Sequence, residues 1–202
     1  MPETIRYTPE YNKYPTEPTP LQFMYDFWQE AGLRIGKSYV VDDLLLTGKE
    51  IERKLENGYM YSFAPAGVSK EDLGKMFPEM RCWAVEEGNQ VVDLVSNSGW
   101  FSTEVSINTP HLGITEKQLG KMLKEQERQG DSLRTYITRG QILKLLIGMY
   151  PDQGSTWSIL PNSCYQGKIL KARFRSDGHL QVNTLLNTYS LNNVGTRFVK
   201  WI

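Results

Sequence analysis

Basic residues at alternate positions near the C-terminus are the residues of this sequence best suited to chemistry with a partner. Lys171, Arg173 and Arg175 are two positions apart, and apolar residues occupy the even positions from 170 to 174. Because alternate side chains of a β-strand point to the same face, we predict three cations in a row, about 6–7 Å apart. That spacing is close to the distance between phosphates along a nucleic acid strand. The pattern predicts a surface for nucleic acid or an acidic protein; an ordinary solvated strand is the alternative.

The distribution of charge supports a basic C-terminal surface, although the formal net charge of the chain is +0. Residues 1–133 contain 14 Lys and Arg against 21 Asp and Glu, and residues 134–202 contain 9 against 2. Such asymmetry favours an acidic partner for the basic part, unless the two parts simply complement each other. Further candidates for this binding surface are two cations of the last predicted strand, Arg197 and Lys200, and three aromatic residues, Tyr165, Tyr189 and Trp201.

A cysteine nucleophile is the alternative chemistry, because a thiolate paired with a histidine can carry out acyl transfer. The candidates are Cys82, Cys164, His111 and His179. The predicted hairpin of 165–174 with 179–185 places His179 far along the strand from Cys164, which counts against that pair. Cys82 has core-like neighbours and is expected to be a small buried hydrophobe. A cysteine-dependent hydrolase or transferase therefore remains only the alternative function.

Other catalytic and cofactor motifs are absent from the sequence. It contains no Gly-rich phosphate loop, no serine nucleophile elbow and no zinc-ligand spacing, so we expect no cofactor and no metal. The most apolar stretch, 142–149, is short and contains Lys144, so no membrane span is expected. The first residues lack the pattern of a signal peptide, and the two cysteines form no framework. These features predict a cytoplasmic protein.

A recurring phrase predicts where four helices begin. An aliphatic residue precedes Ser or Thr, and an acid or amide follows three positions later, before another aliphatic residue. The copies centre on Thr47, Ser69, Thr115 and Thr138. The hydroxyl can accept a hydrogen bond from a free backbone amide while the later side chain bonds back to the cap. With a further helix at 21–31, the predicted helices are 21–31, 48–56, 70–77, 116–129 and 139–149.

Two of these helix starts belong to a longer similarity that resembles a duplication. Gly67–Phe77 reads GVSKEDLGKMF and Gly113–Leu123 reads GITEKQLGKML. A strand is predicted before each, at 59–63 and 104–108, so the unit is a strand, a loop and a helix. Both copies contain a glycine within the helix, Gly74 and Gly120, which disfavours helix by about 1 kcal/mol relative to Ala. We therefore expect another element to pass close to both glycines.

The sequence predicts an α+β fold in three parts. Residues 1–20 contain five prolines and three tyrosines and are predicted to form an extended arm. The arm would dock on a partner, in a homo- or hetero-oligomer, or on the chain's own body; a frayed terminus is the alternative. Residues 21–150 form an α+β body, in which Gly88-Asn89 is predicted to turn a hairpin of 81–87 and 90–95. Residues 151–202 form a basic antiparallel β-rich region; one continuous domain with the body is the alternative. The predicted function is a non-enzymatic binding or assembly protein.

Overall fold

The computed structural model describes residues 20–125, 128–185 and 192–202, and the predicted α+β class is confirmed. The predicted arm, apart from Pro20, lies outside the described residues. The helices are α1 (Pro20–Leu33), α2 (Gly48–Glu56), α3 (Lys70–Met76), α4 (Glu116–Glu125) and α5 (Leu133–Ile147). The strands are β1 (Tyr59–Ala64), β2 (Val91–Asp93), β3 (Gly99–Glu104), β4 (Gln129–Gly130), β5 (Trp157–Tyr165), β6 (Lys168–Phe174), β7 (Leu180–Thr184), β8 (Val194–Thr196) and β9 (Phe198–Trp201).

The strands form two sheets, and each sheet contains strands from both sides of residue 150. The first sheet has the order β1-β3-β9-β4, and the second has the order β2-β5-β6-β7, with β8 parallel to the first residues of β5. All other pairs are antiparallel. The final strand, β9, therefore lies inside the first sheet, whereas β2, from the N-terminal half, completes the second sheet. No helix among the described residues is long and apolar enough to cross a membrane.

Helix α5 lies at the centre of the main hydrophobic core and is buried along most of its length. Tyr136 stacks on Phe174 of β6 with ring centroids 5.6 Å apart. Gly140 permits this close packing, because a Cβ at that position would lie 2.4 Å from the Phe174 ring. Trp28 of α1 joins the same core and donates its indole N–H to the Phe63 carbonyl at 2.9 Å.

Three of the four predicted helix starts are confirmed, those at Thr47, Ser69 and Thr115. The start at Thr138 is wrong, because α5 begins at Leu133 with Ser132 as its cap. The Ser132 hydroxyl accepts from the Thr135 amide at 3.2 Å, and the Thr135 hydroxyl accepts from the Ser132 amide at 2.9 Å. The phrase does not detect this reciprocal cap, because the residue three positions after Ser132 is a threonine and not an acid or amide. The helix therefore begins earlier than predicted.

The predicted hairpin around Gly88-Asn89 is also wrong. Residues 81–87 contain a 3₁₀ turn, Trp83–Val85, instead of a strand. Strand β2 pairs with β5, and Val92 lies opposite Cys164. Pairing with a strand far along the chain replaces the local hairpin, because β2 then covers the edge of β5 and buries Val91 in the core.

The two copies of the repeated phrase have different structural surroundings. Helices α3 and α4 begin 46 residues apart, at 70 and 116, whereas β1 and β3 begin 40 residues apart, at 59 and 99. A Cβ on Gly74 would lie 2.8 Å from Val85, which explains this glycine. Nothing lies within 4 Å of a Cβ placed on Gly120. The expectation of a close neighbour is therefore confirmed at Gly74 and is wrong at Gly120.

Candidate functional site

The alternation predicted for β6 orients its cations away from the core. Leu170, Ala172 and Phe174 are fully buried on the inner face. Lys171 and Arg173 therefore project from the opposite face, where both are partly exposed. The strand itself begins at Lys168 instead of Tyr165, because Gln166 and Gly167 form a turn with positive φ that joins β5 to β6.

Trp157 lies beside these two cations, on the outer face of the second sheet. Ser158 of β5 pairs with Ala172, so Trp157 faces Arg173 across the strands. The Arg173 Cζ lies 4.7 Å from the Trp157 ring centroid, and the Lys171 Nζ lies 5.0 Å from it. Both distances are within the range of cation–π attraction, which holds the two charges beside the partly exposed indole.

Gln181 of β7 completes a group that we call the Trp157 cluster: Trp157, Lys171, Arg173 and Gln181. The Arg173 Nε donates to the Gln181 Oε1 at 2.6 Å, which orients the guanidinium; its terminal N–H groups form no hydrogen bond to another described residue. Within the described ranges, no carboxylate forms an ion pair with Lys171 or Arg173. The cluster is therefore cationic and lacks internal neutralisation.

The electrostatics of the Trp157 cluster favour an anion. Partial burial lowers the pKa of Lys171, and the neighbouring positive charge of Arg173 lowers it further. A bound anion would relieve the repulsion between the two cations. Beside the cluster, Ile159, Leu185 and Leu119 of α4 belong to a small apolar core. The cations therefore project from a packed surface.

Arg175 follows β6 and differs from the other two predicted cations. Its Nη2 lies 3.6 Å from the Asp177 Oδ2, and both side chains are more than half exposed. Asp177-Gly178 lies in the turn to β7, between the two strands of the predicted hairpin. The predicted row therefore consists of two cations that form no ion pair with a described residue and a third with an acidic neighbour.

Arg197 is not part of the basic face, which corrects that prediction. The side chain is completely buried and forms an ion pair with Asp152, with 3.1 Å between its Nη2 and the Asp152 Oδ1. It also donates to the Ser158 hydroxyl, the Ser106 hydroxyl and the Ile107 carbonyl. Arg197 lies between β8 and β9 and connects the two sheets. Lys200 is exposed, but it belongs to β9 of the first sheet.

The aromatic residue beside the cations is not one of the three predicted. Tyr165 packs edge-on against Trp83 with ring centroids 5.1 Å apart, and it contacts the main core. Trp201 packs on Phe101 of the first sheet at 5.1 Å. Tyr189 lies outside the described residues. Trp157 was missed because β5 contains Pro161 and a register shift between Leu160 and Cys164, which obscure its alternation.

The candidate residues for cysteine chemistry lie in separate places. Cys164 pairs with Ile169 at one end of the β5–β6 ladder, whereas His179 follows the turn at the other end of β6. Five residues of strand correspond to about 16 Å, far beyond hydrogen-bonding reach. Cys82 is buried, and this burial raises the pKa of its thiol to about 11.

His111 has partners other than a cysteine. Its Nε2 lies 3.4 Å from the Glu104 Oε1, and its ring packs against Phe198 at a centroid distance of 4.9 Å. The described part of the chain contains no group of three or more His, Cys, Asp and Glu residues that could hold a metal ion. The geometry of the described residues therefore offers no support for a thiolate–imidazole pair.

Comparison with known proteins gives no relative for this chain. No protein-family model matches it, and neither a curated protein nor a solved structure matches it.

Proposed function

We propose that this protein is a non-enzymatic binding protein that holds single-stranded nucleic acid on the outer face of its second sheet. The observation that carries the proposal is the partly exposed Trp157 ring beside Lys171 and Arg173, with no ion pair to either cation among the described residues. Single-strand binding surfaces combine cations that bind the backbone with aromatic rings that stack on bases. The Trp157 cluster contains both elements on one face.

In this proposal the cations and the aromatic ring of the cluster have different roles. Lys171 and Arg173 contact phosphates, and the orientation of Arg173 by Gln181 suits a two-point hydrogen bond to phosphate oxygens. The Trp157 indole stacks on a base. This division favours nucleic acid over an acidic protein, because a carboxylate surface would use the two cations but would not need the ring.

The experiment is a binding titration of a short, labelled single-stranded oligonucleotide, followed by fluorescence anisotropy at low salt. We expect wild-type protein to bind and the Lys171→Ala/Arg173→Ala variant to bind about tenfold or more weakly. The matched control is Lys75→Ala/Lys121→Ala, which removes the same charge at two exposed lysines paired with Glu87 and Glu125. The proposal fails if wild type does not bind, or if the control loses as much affinity.

A third variant separates nucleic acid from an acidic protein partner. Trp157→Leu keeps both cations but removes the aromatic ring, so oligonucleotide binding should weaken by about 1–3 kcal/mol, the usual contribution of one stacked base. Circular dichroism of the variant establishes that the sheet is intact. If an acidic peptide binds as tightly as the oligonucleotide, and if Trp157→Leu affects neither, the surface recognises negative charge on a protein instead.

A further inference from the structure

A second group of cations meets around Tyr59, at the start of β1 in the first sheet. The Lys54 Nζ lies 5.3 Å from the Tyr59 ring centroid, and the Arg128 Cζ lies 4.8 Å from it. Arg128 also donates from Nη2 to the Tyr59 hydroxyl at 3.0 Å, which fixes the guanidinium against the ring. With Lys200, these residues form what we call the Tyr59 cluster: Lys54, Tyr59, Arg128 and Lys200.

The members of the Tyr59 cluster come from four separate places along the chain. Lys54 is in the last turn of α2, and Arg128 directly precedes β4. In the first sheet, Tyr59 pairs with Glu104, and Lys200 pairs with Ser102 two residues earlier on β3. Tyr59 and Lys200 therefore lie on the same face. Burial lowers the pKa of Lys54, as do the charges of Arg128, Lys200 and Arg53, so these cations lie within electrostatic reach of each other.

Carboxylates of the described residues do not neutralise the Tyr59 cluster. None of the ion pairs in the described ranges includes Lys54, Arg128 or Lys200. Glu104, on the same face, has its own partners. Its Oε1 lies 3.4 Å from His111 Nε2, and its Oε2 accepts from the Phe198 amide at 3.3 Å. The cluster thus keeps at least three converging positive charges around an aromatic ring.

We propose that the Tyr59 cluster is a second anion site, which binds a phosphate group of a compact polyanion such as a pyrophosphate or triphosphate. The Arg128 fork, held by the Tyr59 hydroxyl, provides paired donors for phosphate oxygens, while Lys54 and Lys200 act as point charges. A diphosphate or triphosphate carries enough charge to offset several cations at once. The site is on the first sheet and is independent of the nucleic acid proposed for the Trp157 cluster.

A structural role and a binding role make opposite predictions for Lys54→Met/Lys200→Met. Methionine retains a long apolar side chain over Tyr59, so packing is largely maintained. If the cations served the fold, their removal would lower the melting temperature. Because they repel each other without a ligand, the variant should instead melt at the same temperature as wild type or higher. This measurement also establishes that any loss of binding does not result from unfolding.

The test uses inorganic pyrophosphate and triphosphate with the full chain at low ionic strength, measured by calorimetry and by thermal melting. We expect both anions to bind and to raise the wild-type melting temperature. Lys54→Met/Lys200→Met should weaken binding about tenfold or more and abolish this rise. Lys171→Ala/Arg173→Ala should retain it, so the two sites can fail separately. The proposal is overturned if wild type shows no binding, or if the rise survives in Lys54→Met/Lys200→Met.

A nucleoside triphosphate distinguishes the possible sources of the phosphate group. Equal affinity for the nucleotide and for inorganic triphosphate supports a site that reads phosphate alone. Tighter binding of the nucleotide, lost in Tyr59→Leu, supports a site in which the ring also contacts a base. A nucleotide that binds equally to wild type and Lys54→Met/Lys200→Met contradicts the assignment, because its phosphates would then be held elsewhere.

Discussion

Arg197 and Arg173 both belong to the basic C-terminal third of the chain, but their surroundings are opposite. Arg197 is completely buried, pairs with Asp152 at 3.1 Å and donates to two serine hydroxyls and a backbone carbonyl. Arg173 is partly exposed, contacts Trp157 and Gln181, and forms no ion pair within the described ranges. The interior thus supplies a carboxylate for Arg197, whereas the described residues around the outer face of the second sheet supply none for Arg173.

This difference shows that excess charge alone does not identify a binding surface. Residues 134–202 contain 9 Lys and Arg against 2 Asp and Glu. Three of those cations, Arg134, Arg139 and Arg197, are buried, and Arg139 pairs with Asp131 as Arg197 does with Asp152. A buried charge requires partners because desolvation disfavours it strongly. The exposed cations without acidic partners are the ones that a ligand can neutralise.

The largest expected effect on stability concerns the buried ion pair of Arg197 and Asp152. Arg197→Met should destabilise the fold by about 3–5 kcal/mol, because it leaves the buried Asp152 charge without its partner. Urea denaturation monitored by circular dichroism measures this loss. Adding Asp152→Asn should recover part of it, since the unpaired charge is then removed. A loss below about 1 kcal/mol would show that the buried ion pair contributes little to the free energy of unfolding.

The repeated glycines give an intermediate effect and extend the contrast between interior and surface. Gly74→Ala places a Cβ 2.8 Å from both the Val85 carbonyl oxygen and its Cγ2, so we expect destabilisation of about 1–3 kcal/mol. Gly120→Ala meets nothing within 4 Å and should stabilise α4 by up to about 1 kcal/mol. Parallel thermal melts compare the two variants. Equal effects of the same sign would mean that these two environments are described wrongly.

The smallest expected effect concerns Arg175, the predicted cation that has an acidic neighbour. Arg175→Ala should weaken oligonucleotide binding by less than about 0.5 kcal/mol, because Asp177 already offsets its charge. Arg173→Ala in the same titration provides the direct comparison and should weaken binding more. If Arg175→Ala matches Arg173→Ala, the absence of an acidic partner does not determine which cations bind.

Local sequence patterns predicted the local features of the fold. The alternation at 170–174 correctly placed Leu170 and Phe174 in the core, because strand side chains alternate between faces. The caps at Thr47, Ser69 and Thr115 were correct because capping involves residues three positions apart. The cap at Thr138 was wrong because Ser132 and Thr135 form an unexpected pair upstream.

Long-range pairing could not be predicted from the sequence, and the candidate site depends on it. The pairing of β2 with β5 and the position of β9 beside β3 join segments far apart along the chain. Lys171 and Arg173 could be identified from their spacing, but Trp157 could not be placed beside them without the register of β5 against β6. Arg197 was misplaced because its exposure depends on Asp152, a tertiary partner 45 residues away.

The most direct test of the account is the salt dependence of oligonucleotide binding to wild type and to Lys171→Ala/Arg173→Ala. Each phosphate contact on a single strand contributes about 0.7 to the slope of log K against log salt concentration. If both cations contact phosphate, the variant should lose about 1.4 from the magnitude of that slope. Unchanged slopes would contradict the claim that the Trp157 cluster binds nucleic acid through Lys171 and Arg173.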